Sequence, residues 1–267
     1  MTRSRHSAER FDRPELTVEG WNRSMITLNK VSKKFGTGVY GLSDISFSVD
    51  KGEFVFLVGP TGAGKTTIFK LIIKESDPSD GSITVNQWDL TKLPKDKIPA
   101  LRKKIGVVFQ DLKLLLDRTI FENIFLPLDV VGVKDQEGKK KVEEVLTQVG
   151  IINHADKFPI QLSGGELQRA AIARALVLEP EVLLADEPTG NLDAATSWEI
   201  VKLLSDINAK GTTVIMATHN TDIVKSLKKR VIKLEQGTVT KDDGEDKKEK
   251  EEVKASFKEE AGEEEKK

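Results

Sequence analysis

The chain has no cysteine. That excludes disulfides, thiol nucleophiles and thiolate metal sites, and it suits a reducing compartment. Histidine is scarce, three in 267 residues, which leaves little for an imidazole metal centre. Long apolar runs are missing too. The best candidate, residues 124–133, is interrupted by Pro127 and Asp129 and falls short of the ~20 residues that a bilayer span needs. Arg3, Arg5, Arg10 and Arg13 are followed by no apolar segment, so a secretory signal is not expected. Net charge is −1, so no overall field points to nucleic acid or an anionic membrane. A membrane role therefore has to come through a partner.

What is present falls into three stretches. Residues 1–24 are polar and Arg-rich without periodicity, and read as a flexible extension. Residues 25–240 read as one folded domain, opened by Ile26, Leu28 and Val31 in an alternating strand pattern. Met25 at its head offers an alternative translation start. Residues 241–267 carry eight Lys, twelve Asp or Glu and almost no apolar side chains. They cannot bury enough surface to offset ordering entropy, so the stretch reads as a disordered charged tail.

Within the domain, short apolar runs alternate with helical patterns. Strands are expected at Phe54–Val58, Ser82–Val85, Ile105–Phe109, Val182–Ala185 and Thr212–Ala217. Helices are expected from Lys65 to Lys74, over most of Arg118–Gly150, from Gly165 to Leu178 and from Ala194 to Ala209. Buried strands alternating with helices imply an α/β fold with a mostly parallel sheet covered on both faces.

Gly59-Pro60-Thr61-Gly62-Ala63-Gly64-Lys65-Thr66 matches G-x-x-x-x-G-K-[ST], after an expected strand and before an expected helix. Glycines let the backbone curl so that several N–H groups face one anion, and the helix N-terminus adds partial positive charge. Lys65 is expected to reach the outer phosphates, the Thr66 hydroxyl to ligate Mg2+, and Thr67 to line the same cradle. A plain Gly-rich turn leaves the Lys-Thr pair unexplained, and a dinucleotide fingerprint needs another glycine spacing. By itself the loop fits kinases, GTPases, motors and many ATPases.

Val182–Ala185 runs into Asp186 and Glu187. The carboxyl end of a buried parallel strand is where ligands bind, so Asp186 is placed to hold Mg2+ and Glu187 to polarise an attacking water. Gln110 and His219 follow two other expected strands. An amide there can ligate the metal or orient water, and an imidazole can bond a phosphate and Glu187. Singly, each is better read as a solvated loop residue.

Gln161-Leu162-Ser163-Gly164-Gly165-Glu166-Leu167-Gln168-Arg169 resembles the signature motif of ABC-type ATPases. Gln110 then matches the family's Q-loop, Asp186-Glu187 its Walker B pair, Asn191-Leu192-Asp193 its D-loop and His219 its switch histidine, all in family order from about residue 25 to 239. The resemblance implies a P-loop NTPase (RecA-like) core, an antiparallel β subdomain and a helical signature subdomain at about residues 112–178. It also implies ATP and Mg2+ as ligands and a homodimer in which Ser163, Gly164, Gly165, Glu166 and Asp193 close over the other protomer's nucleotide. The family often stacks adenine on Tyr upstream of the phosphate loop; here the matching residue is Phe35, which keeps a ring face for stacking.

Within the family, the stretches 52–60, 107–111, 184–193, 216–220 and 230–237 resemble the cell-division branch. That likeness implies a peripheral ATPase on the cytoplasmic membrane face, driving an FtsX-like integral membrane protein of the division machinery and, through it, cell-wall hydrolysis. Leu114, Leu115, Phe121 and Phe125 are candidates for either its docking surface or the lobe core. The alternative is the ATPase of a lipoprotein-releasing or macrolide-type exporter, since the Asp186–Asp193 wording is shared with those branches. A soluble ABC protein acting on ribosomes or DNA is disfavoured, because neither a second cassette nor a long coiled coil is apparent. No nucleic-acid partner is expected.

Overall fold

The computed structural model describes residues 24–36 and 38–244. The readings made of residues 1–23 and 245–267 lie outside the described residues.

Two sheets build the molecule. The smaller is antiparallel, with β1 (Ser24–Lys34), β2 (Tyr40–Asp50), β4 (Asp80–Val85) and β5 (Trp88–Asp89) in the order β2-β1-β4-β5. The alternation in β1 buries Ile26, Leu28 and Val31, with a register shift between Leu28 and Val31 that keeps all three inward.

The larger sheet contains β3 (Phe54–Val58), β6 (Ile105–Val108), β7 (Val182–Asp186), β8 (Thr213–Thr218), β9 (Arg230–Glu235) and β10 (Thr238–Asp242). Its order is β10-β9-β3-β8-β7-β6, parallel apart from β10. The central strands β3, β8 and β7 are apolar on both faces because both faces are covered. Leu57, Leu184 and Ala217 join one core, shared with the small sheet and with α1 (Lys65–Ile72). Phe56, Leu183 and Met216 point the other way, into a core shared with the remaining helices. Each fully buried large side chain contributes about 1.5–3 kcal/mol.

Those helices are α3 (Ile120–Val130), α4 (Asp135–Gln148), α5 (Gly164–Leu176), α6 (Ala194–Ala209) and α7 (Thr221–Leu227), whereas the short α2 (Ile98–Lys103) buries Leu101 in the first core. A capping box between Thr119 and Glu122 starts α3. The region read as mostly helical over Arg118–Gly150 is two helices, separated where Gly132 takes a positive φ of 77°. Helices α3, α4 and α5 pack on one another as a lobe through Leu128, Val142, Leu146 and Ile172. Phe121 and Phe125 stack with centroids 6.0 Å apart and lie against that core, as does Leu114, whereas Leu115 is exposed. Helix α1 stops at Ile72 rather than Lys74, because Lys74 takes a left-handed φ of 55°.

The hairpin β9–β10 extends to Asp242, two residues into the stretch read as tail. Arg230 draws it in: its guanidinium donates to Asp242 at 2.7 and 2.6 Å and to Glu53 at 3.2 Å. Burial works against the charge, but these two carboxylates hold the Arg230 pKa above its ordinary value.

The consequence of the parallel sheet is positional. The carboxyl ends of β3, β6, β7 and β8 lie along one edge, so the residues following each strand meet there.

Candidate functional site

The loop after β3 needs its glycines. A side chain at Gly59 would meet the Leu234 carbonyl at 2.3 Å, and one at Gly64, whose φ is 106°, would meet Leu42 at 2.5 Å. Gly64 is also the N-cap of α1. No side chain caps that helix and its first turn carries no acid. Its leading N–H groups and partial positive charge are therefore left to an external anion. Lys65 is buried in the loop. Its ammonium donates to the carbonyls of Gly59 (2.7 Å) and Pro60 (3.2 Å) and lies 3.4 Å from Glu187 Oε1.

Asp186 ends β7 below the loop. The Thr66 hydroxyl donates to its Oδ2 at 2.7 Å, while Oδ1 is buried without a protein partner. Burial pushes the Asp186 carboxyl above its ordinary pKa, and the neighbouring Glu187 adds to the rise, against the Thr66 hydrogen bond. An orphaned carboxylate oxygen beside a threonine hydroxyl and the Gln110 amide is a hard oxygen donor set. That fits Mg2+, which binds through one or two carboxylates and completes its shell with waters and substrate phosphates.

Glu187 takes a φ of 48°, rare for a residue with a side chain, and its N–H donates to Ala217 O at 3.0 Å in β8. The strained turn holds the carboxylate at the sheet edge. His219, after β8, brings Nδ1 to 2.9 Å from Glu187 Oε2, although off the line of a hydrogen bond.

These groups converge. A cavity of about 400 Å3 is lined by Phe35, Thr61, Gly62, Ala63, Gly64, Lys65, Thr66, Thr67, Gln110, Asp186, Glu187 and His219. Gly59 and Pro60 do not line it but hold Lys65. The Phe35 ring, 48% exposed, stands at its mouth. Gly41 and Gly190 also line the cavity and were not singled out from sequence, and Asn191, read there as the start of the D-loop, lines it too. Gly41 lets the Phe35 ring approach, since a Cβ there would lie 2.4 Å from the ring. Its position in β2, inside a hairpin, gives no local motif to find it by.

The signature residues stand elsewhere. Ser163, Gly164, Gly165, Glu166 and Asp193 line a separate concavity of about 300 Å3, with Arg169, Thr196 and Glu199. Ser163 caps α5 in a capping box: its N–H and its hydroxyl both donate to Glu166 Oε2 at 2.7 Å. Those bonds hold the Glu166 pKa below its ordinary value. Asp193 caps α6, accepting from the Thr196 amide at 2.9 Å, and its pKa is lowered mainly by the Thr196 hydroxyl. Gly165 allows the turn to press on α6, since a Cβ would meet Thr196 Cγ2 at 2.5 Å. Asn191 lines both cavities. One chain thus brings Lys65, Thr66, Gln110, Asp186, Glu187 and His219 to one cavity and sets a second helix N-terminus on a separate one.

The ABC transporter family pattern matches residues 42–190, more than half of the chain. Cell division ATP-binding protein FtsE of Bacillus subtilis is 51% identical over 219 residues, covering 82% of this chain and 96% of that protein. The proteins of the same name from Mycobacterium tuberculosis and Escherichia coli K12 are 46% and 44% identical, over 82% and 80% of this chain and 96% of each relative. An ATP-binding cassette solved as a dimer in a post-hydrolysis state, bound to ADP and Pi, superposes with a TM-score of 0.75 at 34% identity, covering 82% of this chain and 98% of that one. The cbiO1 protein of Clostridium perfringens, part of an ABC transporter complex, gives 0.77 at 31% identity, over 82% and 88%. The chain belongs to the ABC transporter family of ATPase subunits, in the group of the cell division ATP-binding protein FtsE.

Proposed function

We propose that this subunit hydrolyses Mg2+-ATP at a site shared between two copies of the chain, and that the cycle drives an FtsX-like integral membrane protein in cell division. The observation that carries the reading is the single cavity in which Lys65, Thr66, Gln110, Asp186, Glu187 and His219 converge.

The loop Gly59–Thr66 and the first turn of α1 bind the phosphates, and the Phe35 ring face stacks on adenine. Lys65 moves its charge from the carbonyls it contacts to the outer phosphates, which are stronger partners. Thr66, Asp186 and Gln110 would hold Mg2+, which would supply neutralisation of the negative charge of the phosphates. Glu187 orients and polarises the attacking water. His219, 2.9 Å away, holds that carboxylate and the terminal phosphate in register. In the partner copy, the Ser163–Glu166 turn and Asp193 close over the same phosphate. A second helix N-terminus, on a concavity separate from the chain's own cradle, supports this arrangement, as does the dimeric state of the related cassette.

Among the described residues no helix is long and apolar enough to cross a membrane. The FtsE-named relatives, at 44–51% identity, support placement at the cytoplasmic face through a membrane partner. Glu187→Gln removes the water-activating charge and keeps the cradle. Turnover is expected to fall by about 1000-fold with ATP affinity retained, and sizing in ATP to show a trapped dimer. Only monomer in ATP contradicts the shared site.

A further inference from the structure

The loop that carries Gln110 is held by an unusual clamp. After Gln110 the chain turns through Leu112 and Lys113, two consecutive residues with positive φ, 55° and 52°. Neither is glycine, and such a pair persists only where its surroundings impose it. Arg174, in the last turn of α5, imposes it. Its guanidinium donates to the carbonyl of Leu112 and to that of Lys113, each at 2.6 Å. Burial lowers the Arg174 pKa, with only the charge of Asp111 opposing the shift, so the side chain accepts desolvation in order to reach backbone. The Lys113 ammonium lies 4.5 Å from the Phe109 ring centroid, backing the turn from its other side.

The end of α5 is itself fixed. Gly106 of β6 touches the helix so closely that a Cβ would lie 2.4 Å from the Ala175 carbonyl. The strand leading to Gln110 and the clamp that follows it are therefore both seated on the last turn of α5. The first turn of that helix is the signature turn capped by Ser163, about 18 Å away at 1.5 Å per residue.

We propose that Arg174 is a positioning residue for hydrolysis: its forked hold on Leu112 and Lys113 sets Gln110 at the Asp186 edge of the cavity and makes the Gln110 loop move as one body with the signature helix. The inference rests on the reading of Gln110 as part of the nucleotide site. Arg suits the task because two carbonyls in fixed geometry need a planar fork, which a lysine cannot offer.

The test is steady-state ATPase of the full chain, measured against Mg2+ and against ATP. Arg174→Ala is expected to lower kcat about tenfold and to raise the half-saturating Mg2+ several-fold, with the KM for ATP unchanged because the phosphate loop is untouched. The vacated space opens on the groove lined by Arg102, Phe109 and Pro127. Millimolar free guanidinium should therefore restore part of the rate. Wild-type kcat and Mg2+ dependence in R174A overturn the proposal. So does a loss that guanidinium does not relieve, or one that appears as a raised KM. Should R174A fold poorly, Arg174→Lys keeps the charge without the fork; it is expected to show the same Mg2+ shift in weaker form, and wild-type behaviour overturns the proposal. Gln110→Ala separates the two levels. A normal Mg2+ dependence in Q110A contradicts the reading of Gln110 itself, whereas a changed one beside a normal R174A contradicts the Arg174 clamp alone.

Discussion

The phosphate loop and the signature turn both set glycines at a helix N-terminus, Gly64 as the cap of α1 and Gly164 and Gly165 as the first residues of α5, yet they are finished differently. At α1 no side chain caps the helix, no acid stands in the first turn, and Lys65, Asp186 and Glu187 are packed around the opening. At α5 the same kind of terminus is capped by its own Ser163 and Glu166 and faces out. The first is a site in which charge has been concentrated and left unsatisfied. The second is stable by itself and gains a ligand only when another surface brings one. Difference in finish, rather than in motif, separates the cradle proposed for catalysis from the turn proposed as half of an interface.

Three changes sharpen that contrast. Lys65→Ala strikes the first site, and ATP affinity of the separate domain is expected to fall about 100-fold by equilibrium titration, from loss of a charge-assisted phosphate contact. Unchanged affinity contradicts its role. Gly164→Asp strikes the second. An acid at the first position of α5 suits the helix dipole, so the fold should hold, but it sets a negative charge where the partner's phosphate would arrive. Turnover and ATP-driven dimerisation should fall at least tenfold, about 1.4 kcal/mol, while ATP affinity of the separate domain stays normal. A matching loss of that affinity would place both sites in one chain.

Asp186→Asn has a small effect on stability, opposite in sign to its effect on function. The folded-state pKa of Asp186 is raised by burial, so its folded carboxyl holds its proton more tightly than the unfolded one. The stability it contributes is full below the unfolded pKa, near 4, and is lost as pH rises through the raised folded value. At pH 7 the charged form is a net cost. Removing the charge is expected to raise nucleotide-free stability by about 1 kcal/mol while abolishing Mg2+-dependent turnover. A lower melting temperature at pH 7 contradicts this. Glu166 and Asp193 behave in the opposite sense. Their folded pKa values are lowered by cap hydrogen bonds, so the stability they give is present above the unfolded values and lost as pH falls through the folded ones.

Much of the cradle was legible in the sequence because its parts sit at fixed spacing from strand ends. Once Phe54–Val58, Ile105–Phe109 and Val182–Ala185 are read as parallel strands, Lys65, Gln110 and Asp186 must share an edge. Other features were not legible because they join residues far apart. Arg174 reaches Leu112 across 62 positions and Arg230 reaches Glu53 across 177. Neither has a local pattern to announce it. The left-handed φ of Glu187 is equally silent, since the Ala217 carbonyl that accepts from its N–H lies in another strand. The turn at Gly132, by contrast, was visible as a glycine but gave no sign that it divided a helix.

The central claim is that each working site takes its cradle from one chain and its signature from another. Mixing the purified K65A and G164D proteins tests it directly, because each lacks a different half. In a two-fold dimer half of the pairs are mixed and each contains one intact site, so the mixture should recover about one quarter of wild-type turnover. A mixture no more active than the mean of the two variants would contradict the shared site.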